Sequence, residues 1–156
     1  MKRRRVSCAR SATDASAVPS LGKALRDDDA DLRFNAALAL SKMGAPALSK
    51  FIEGLRDRNP DVRILCAKQI RMAGFKDTQA VAALVNALND SVRRVRKEAV
   101  LCLGAIGDRR ALPALVKTLN DLDKNVRLAS AYALEKIGDE RALPALRLVS
   151  NLTSPV

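Results

Sequence analysis

The sequence predicts an all-α protein, a right-handed α-solenoid (superhelix) of about four and a half stacked helical hairpins. Three spacings carry that expectation. Arginines stand at Arg33, Arg63, Arg96 and Arg127, separated by 30, 33 and 31 residues. A glycine follows each after 11 residues, at Gly44, Gly74, Gly107 and Gly138, and a leucine precedes each by eight, at Leu25, Leu55, Leu88 and Leu119. A period in the low thirties kept with this fidelity marks units that bury their apolar faces against one another.

The elements follow in order. Residues 1–13 read as a flexible basic tail carrying Lys2, Arg3, Arg4, Arg5 and Arg10, a segment suited to touching an anionic surface or simply to aiding solubility. The repeat domain spans residues 14–152, in units 14–44, 45–76, 77–107 and 108–138 and a half repeat 139–152, with a tail at 153–156. The first helix of a unit opens at an aspartate (Asp14, Asp77, Asp108, Asp139), whose carboxylate can accept hydrogen bonds from the unpaired amides of a helix start. Pro19, Pro113 and Pro144 fall in opening turns, where a missing N–H costs least or bends the helix. The second unit departs from this pattern: GAPALSKFIEGL has no aspartate and is a residue shorter. Turns at DDDAD, DRNPD, DSVRR and DLDKN reverse the chain. Alanine-rich second helices follow, and each ends at its glycine, the residue that most readily takes a left-handed cap.

The core of the repeat, best seen in NDLDKNVRLASAYALEKIGDERALPAL, resembles the HEAT-repeat family, and in particular the short HEAT-like repeats of phycobilin lyase subunits. It is similar, too, to artificial consensus proteins built from this repeat class. The resemblance implies that Arg33, Arg63, Arg96 and Arg127 pair with turn aspartates of the same or a neighbouring repeat, at Asp27, Asp57, Asp90 and Asp121. It also implies that the second helices line the concave face. Some enzymes of the class carry paired His–Glu metal sites, but this chain has no histidine with which to build one.

That absence bears on catalysis generally, because it removes imidazole as base, ligand and pH switch. Cys66 takes the place held by Ala36, Ala99 and Ser130 in the other units, and Cys102 that of Ala39, Gln69 and Ala133. Both read as small core residues rather than nucleophiles. Three cysteines with no CxxC pair suit a reducing, cytoplasmic setting, and no apolar run is long enough to span a membrane. No catalytic residue, metal or cofactor is expected.

The informative positions vary while the frame stays fixed. One, five and nine residues after each arginine, the chain places Phe34, Leu38 and Lys42; Ile64, Lys68 and Met72; Lys97, Leu101 and Ala105; Leu128, Tyr132 and Lys136. Steps of four keep each trio on one helical stripe. Exposed together, these residues would form an apolar groove with lysines among the anchors, suited to an acidic, partly apolar protein or peptide; the alternative is that the apolar members are buried between repeats. The expected function is therefore a non-catalytic protein-binding scaffold. Two alternatives stand beside it: a chaperone-like bilin lyase subunit, implied by the resemblance alone, and a nucleic-acid-binding solenoid. The net charge of +11 and the clusters SVRRVRK and DRR favour the latter. Against it, those clusters lie on opposite edges of a two-helix stack, and Phe34, Phe51, Phe75 and Tyr132 are the only aromatic residues available for stacking on bases. The largely apolar ALPALRLVSNL ends the series without a polar cap, so association of copies through that end is also expected.

Overall fold

The computed structural model describes residues 15–147 with the exception of Phe75. The basic tail, Cys8, Asp14 and residues 148–156 lie outside the described residues. Eight helices alternate as first and second members of four hairpins: α1 (Val18–Ala24) and α2 (Ala30–Lys42), α3 (Ala45–Gly54) and α4 (Pro60–Ala73), α5 (Thr78–Ala87) and α6 (Arg93–Ile106), α7 (Leu112–Thr118) and α8 (Lys124–Ile137). Helical residues 143–147 begin a further first helix, and the described residues contain no strand. The second helices lie side by side in the order α2, α4, α6, α8, so the molecule is an α-solenoid.

Local chemistry sets the ends of these elements. Asp77 caps α5 by accepting from the N–H groups of Gln79 and Ala80, and Asp108 and Asp139 cap short 3₁₀ turns at Arg109–Ala111 and Glu140–Ala142. Pro19 and Pro113 sit in the first turn of the α-helix that follows such a 3₁₀ turn. The first helix of these units thus opens as a 3₁₀ turn and continues as an α-helix, with proline where a missing N–H costs least. Second helices are capped by Asp29, Asn59 and Asp123; Val92, at the same place before α6, offers no side-chain acceptor. Asp77→Ala should cost about 1 kcal/mol, the usual loss on removing an N-cap acceptor, measurable by urea denaturation.

Gly74, Gly107 and Gly138 cap their helices in the left-handed region, at φ of 68°, 73° and 67°. Gly44 differs. It follows the α2 cap residue Met43 and, at φ 66° and ψ −136°, is itself the N-cap of α3. With no linker aspartate between the first two units, one glycine ends one helix and starts the next.

The frame leucines Leu25, Leu55, Leu88 and Leu119 are all buried, in one core that runs the length of the stack with Phe51, Ile70, Leu103 and Leu134. Full burial of such a side chain contributes about 2–3 kcal/mol, so the core rather than helix propensity holds the hairpins together. Small residues let the helices approach closely. A Cβ on Gly104 of α6 would lie 2.7 Å from Ala133 Cβ and 2.9 Å from Ala133 Cα of α8, and one on Gly54 would collide with Cys66 Sγ. No helix among the described residues is long and apolar enough to cross a membrane.

Candidate partner-binding face

The frame arginines are structural in their geometry. Each donates through Nη1 to the carbonyls of its own turn: Arg33 to Asp27 and Asp28, Arg63 to Asp57 and Arg58, Arg96 to Asp90 and Ser91, Arg127 to Asp121 and Leu122. Two of them also grip the next repeat through a fork of Nε and Nη2. Arg63 meets Asp90 at 2.7 and 2.9 Å, and Arg96 meets Asp121 at 2.8 and 2.8 Å. The aspartates in turn accept from backbone N–H groups two residues on, as Asp121 does from Asp123. Turn, helix and neighbouring repeat are locked by one pair of side chains.

The first rung is built differently. Arg33 bonds its own turn carbonyls, and Asp57 is met instead by Arg26 Nε at 3.4 Å. Arg33 and Asp57 are 24 residues apart, where the pairs that form, Arg63–Asp90 and Arg96–Asp121, are 27 and 25 apart. Arg127 would need an aspartate near residue 152, outside the described residues; the sequence has Leu152 there.

The hydrogen bonds from Arg96 hold the Asp121 carboxyl below the ordinary carboxylate range. An unfolded aspartate titrates near 3.9. Because the folded value is lower, this rung contributes its stability above that pH and loses it as pH falls through the folded value. Asp121→Asn should therefore shrink the loss of stability as pH falls below about 4 relative to the unaltered chain, as read from urea midpoints at each pH.

Elsewhere the arginines are also engaged locally. Arg110 forks onto Asp108, Arg141 forks onto Asp139, and Arg109 and Arg93 reach Asp139 and Asp123 at 3.4 Å. Asp139 is held far below the usual range, first by its hydrogen bonds from Arg141. Arg109, Arg110 and Arg141 line an open depression of about 630 Å³ on the first-helix side, together with Leu112, Pro113 and Val116.

Cys66 and Cys102 are fully buried, and burial pushes both thiols up to about 12. At neutral pH they are protonated, apolar packing groups.

The variable stripe lies on the second helices. Phe34, Leu38, Met72, Leu128 and Tyr132 are exposed, as are Lys42, Lys68, Lys97, Lys136 and Ala105. Two of its residues are placed otherwise. Ile64 is 8% exposed and belongs to the core, at the floor of a depression of about 260 Å³ that it shares with Phe34, Lys68 and Arg94. Phe34 of α2, Lys68 of α4 and Arg94 of α6 line the same depression, so side chains of the neighbouring second helices stand around it. Leu101 is half-buried and packs against the core. Conversely, Arg94 reaches the depression from what the sequence presents as a turn cluster. Its spacing of three from Lys97 puts the two on one helix face, and that is the signal in the sequence.

Eight large apolar side chains are exposed among the described residues, and five of them belong to the stripe. The rest, Leu32, Leu122 and Leu143, are scattered. Among the described residues, most of the large apolar exposure thus falls on one stripe of positions.

A sequence model of HEAT repeats matches residues 48–122 and 102–152. Among solved structures, the chain is similar to human deoxyhypusine hydroxylase in complex with glycerol, at 28% identity and a TM-score of 0.68, over 78% of this chain and 43% of that one. It therefore spans less than half of that enzyme's length. The complex of CpcE and CpcF of phycocyanin lyase from Nostoc sp. PCC7120 is similar at 19% identity and a TM-score of 0.72, over 92% of each chain. A designed armadillo repeat protein in complex with the peptide (KR)4 is similar at 23% identity and a TM-score of 0.61, over 88% of this chain and 72% of that one. At those identities the last two show the fold alone. No curated protein matches the chain.

Proposed function

The chain belongs to the HEAT-repeat family, and on that premise we propose that it is a non-catalytic scaffold holding an acidic, partly apolar protein segment along its second helices. The observation that carries this reading is the gathering of Phe34, Leu38, Met72, Leu128 and Tyr132 on one exposed face. Single exposed apolar residues are normal on a protein surface, whereas five drawn from one helical stripe, with lysines among them, depart from that scatter and favour an interaction site. Second helices contact one another more closely than first helices do, which supports a face on the inner side of the stack.

Charge selects the partner. Lys42, Lys68, Lys97 and Lys136 lie on the face, and the ion pairs among the described residues involve arginines and Lys50 but none of these four. Free lysines among apolar anchors favour carboxylates in the segment that docks. The designed armadillo protein holds a basic peptide; the face here calls for the opposite charge. A chain without histidine whose described thiols are buried and protonated has little means for nucleophilic or general-base chemistry, consistent with holding rather than transforming.

Capture from a nuclease-treated lysate of the source cell tests the reading. The unaltered chain should retain an acidic protein that Lys68→Glu/Lys97→Glu retains poorly. Equal capture by both would contradict it, and binding of DNA that weakens steeply with salt would point to nucleic acid instead.

A further inference from the structure

The face is not uniform along the stack. Its apolar exposure sits at the two ends, with Phe34 and Leu38 on α2 and Leu128 and Tyr132 on α8. Between them, the exposed groups of the first two rows are Lys68 on α4 and Lys97 on α6, with Arg94 beside them. There Ile64 is buried and Leu101 half-buried, so the middle offers cations over a low apolar floor. Met72 is exposed in the third row, to one side. Asp61 is the acid that lines the same depression, leaving the middle with an excess of positive charge.

Resting on the reading above, we infer that the occupant is a single α-helix with two apolar clusters about five turns apart and carboxylates between them. Two dimensions support a helix. The stripe spans eight residue steps along each second helix, as from Phe34 to Lys42, a width of about 12 Å at 1.5 Å per residue, and a helix with its side chains is about 10–12 Å across. The stack takes three steps from α2 to α8. Packed helices are spaced about 8–10 Å apart, so the apolar ends are separated by about 24–30 Å. That distance corresponds to about 16–20 residues of helix, and about 18 residues make five turns, which returns both clusters to one face. An extended segment would cover it in about 7–9 residues. Carboxylates midway along the helix would meet Lys68, Lys97 and Arg94.

The test uses two labelled synthetic peptides of identical composition, rich in glutamate, alanine and leucine. One carries leucine pairs about 18 residues apart on a helix face, the other pairs about nine apart, which in a helix fall on opposite faces. Fluorescence anisotropy with the full chain should show the first binding at least about tenfold more tightly, a difference of 1.4 kcal/mol. Phe34→Glu and Tyr132→Glu should each reduce that binding while leaving the melting temperature unchanged. Equal binding of the two peptides, or preference for the closer spacing as an extended segment requires, overturns the inference. So does binding of neither. Capture of an acidic protein in the lysate experiment, together with any of these results, leaves the scaffold reading standing while the two-anchor helix falls.

Discussion

Asp121→Ala should lower stability by about 3–5 kcal/mol, the cost of leaving a buried partner charge without its counter-ion. The Arg96 and Asp121 side chains are 15% and 9% exposed, so water replaces the lost carboxylate poorly. The same substitution removes the acceptor for the Asp123 N–H and loosens the turn before α8. A paired change isolates the charge effect. Arg96→Met/Asp121→Leu removes both ions and should recover part of the loss, because apolar replacement of a buried pair is often close to neutral. The recovery is incomplete, since Arg96 also donates to the carbonyls of Asp90 and Ser91. Urea denaturation of the three variants measures each step, and a cost below about 1 kcal/mol for Asp121→Ala, typical of an exposed pair, would show that the rung contributes little.

Gly104→Val is the second large effect. Glycine inside a helix is normally a weakness of about 1 kcal/mol relative to alanine, so substitution there ought to stabilise α6 on propensity alone. Packing reverses the sign. The added Cβ meets both the Cβ and the Cα of Ala133, and a backbone atom has no rotamer through which to move away. Overpacking of this kind costs about 1–3 kcal/mol, and valine adds two methyl groups to the collision. A melting temperature lower by several degrees is the expected result; an unchanged one would mean that α6 and α8 separate freely.

Much of the fold is legible in the amino-acid sequence. The frame arginines, the linker aspartates and the frame leucines each have a local cause, Nη1 bonds to turn carbonyls, an N-cap or a buried face, and local causes leave marks at fixed spacing. What the spacing does not reveal is how neighbouring repeats cover one another. Ile64 and Lys97 occupy the same place in the frame, yet one is buried and the other exposed. Helical periodicity assigns a face, whereas burial depends on which side chains the adjacent helices project over it. Asp57 illustrates the same limit: the frame pairs it with Arg33, but in the structure it lies beside Arg26. Gly104 was open to detection, because its place in the frame holds Ser41, Arg71 and Glu135 in the other units. A glycine within an alanine-rich helix signals close approach, though not the partner.

The central claim is that the second-helix face is an open binding surface rather than core. Leu128 and Tyr132 probe it most cleanly, being 56% and 60% exposed, whereas Leu101 is half-buried and would confound the result. Leu128→Glu/Tyr132→Glu should melt within a degree or two of the unaltered chain, since surface changes cost about 0.5 kcal/mol or less. Its capture of the acidic partner should nevertheless be abolished. Cys102→Glu on the buried side of α6 supplies the contrast, because a carboxylate forced into the core should unfold the protein. Thermal melts of the three chains side by side, with capture scored on those that remain folded, decide the matter. A stripe variant that melts as low as Cys102→Glu, or one that stays folded and captures the partner in full, would contradict the account.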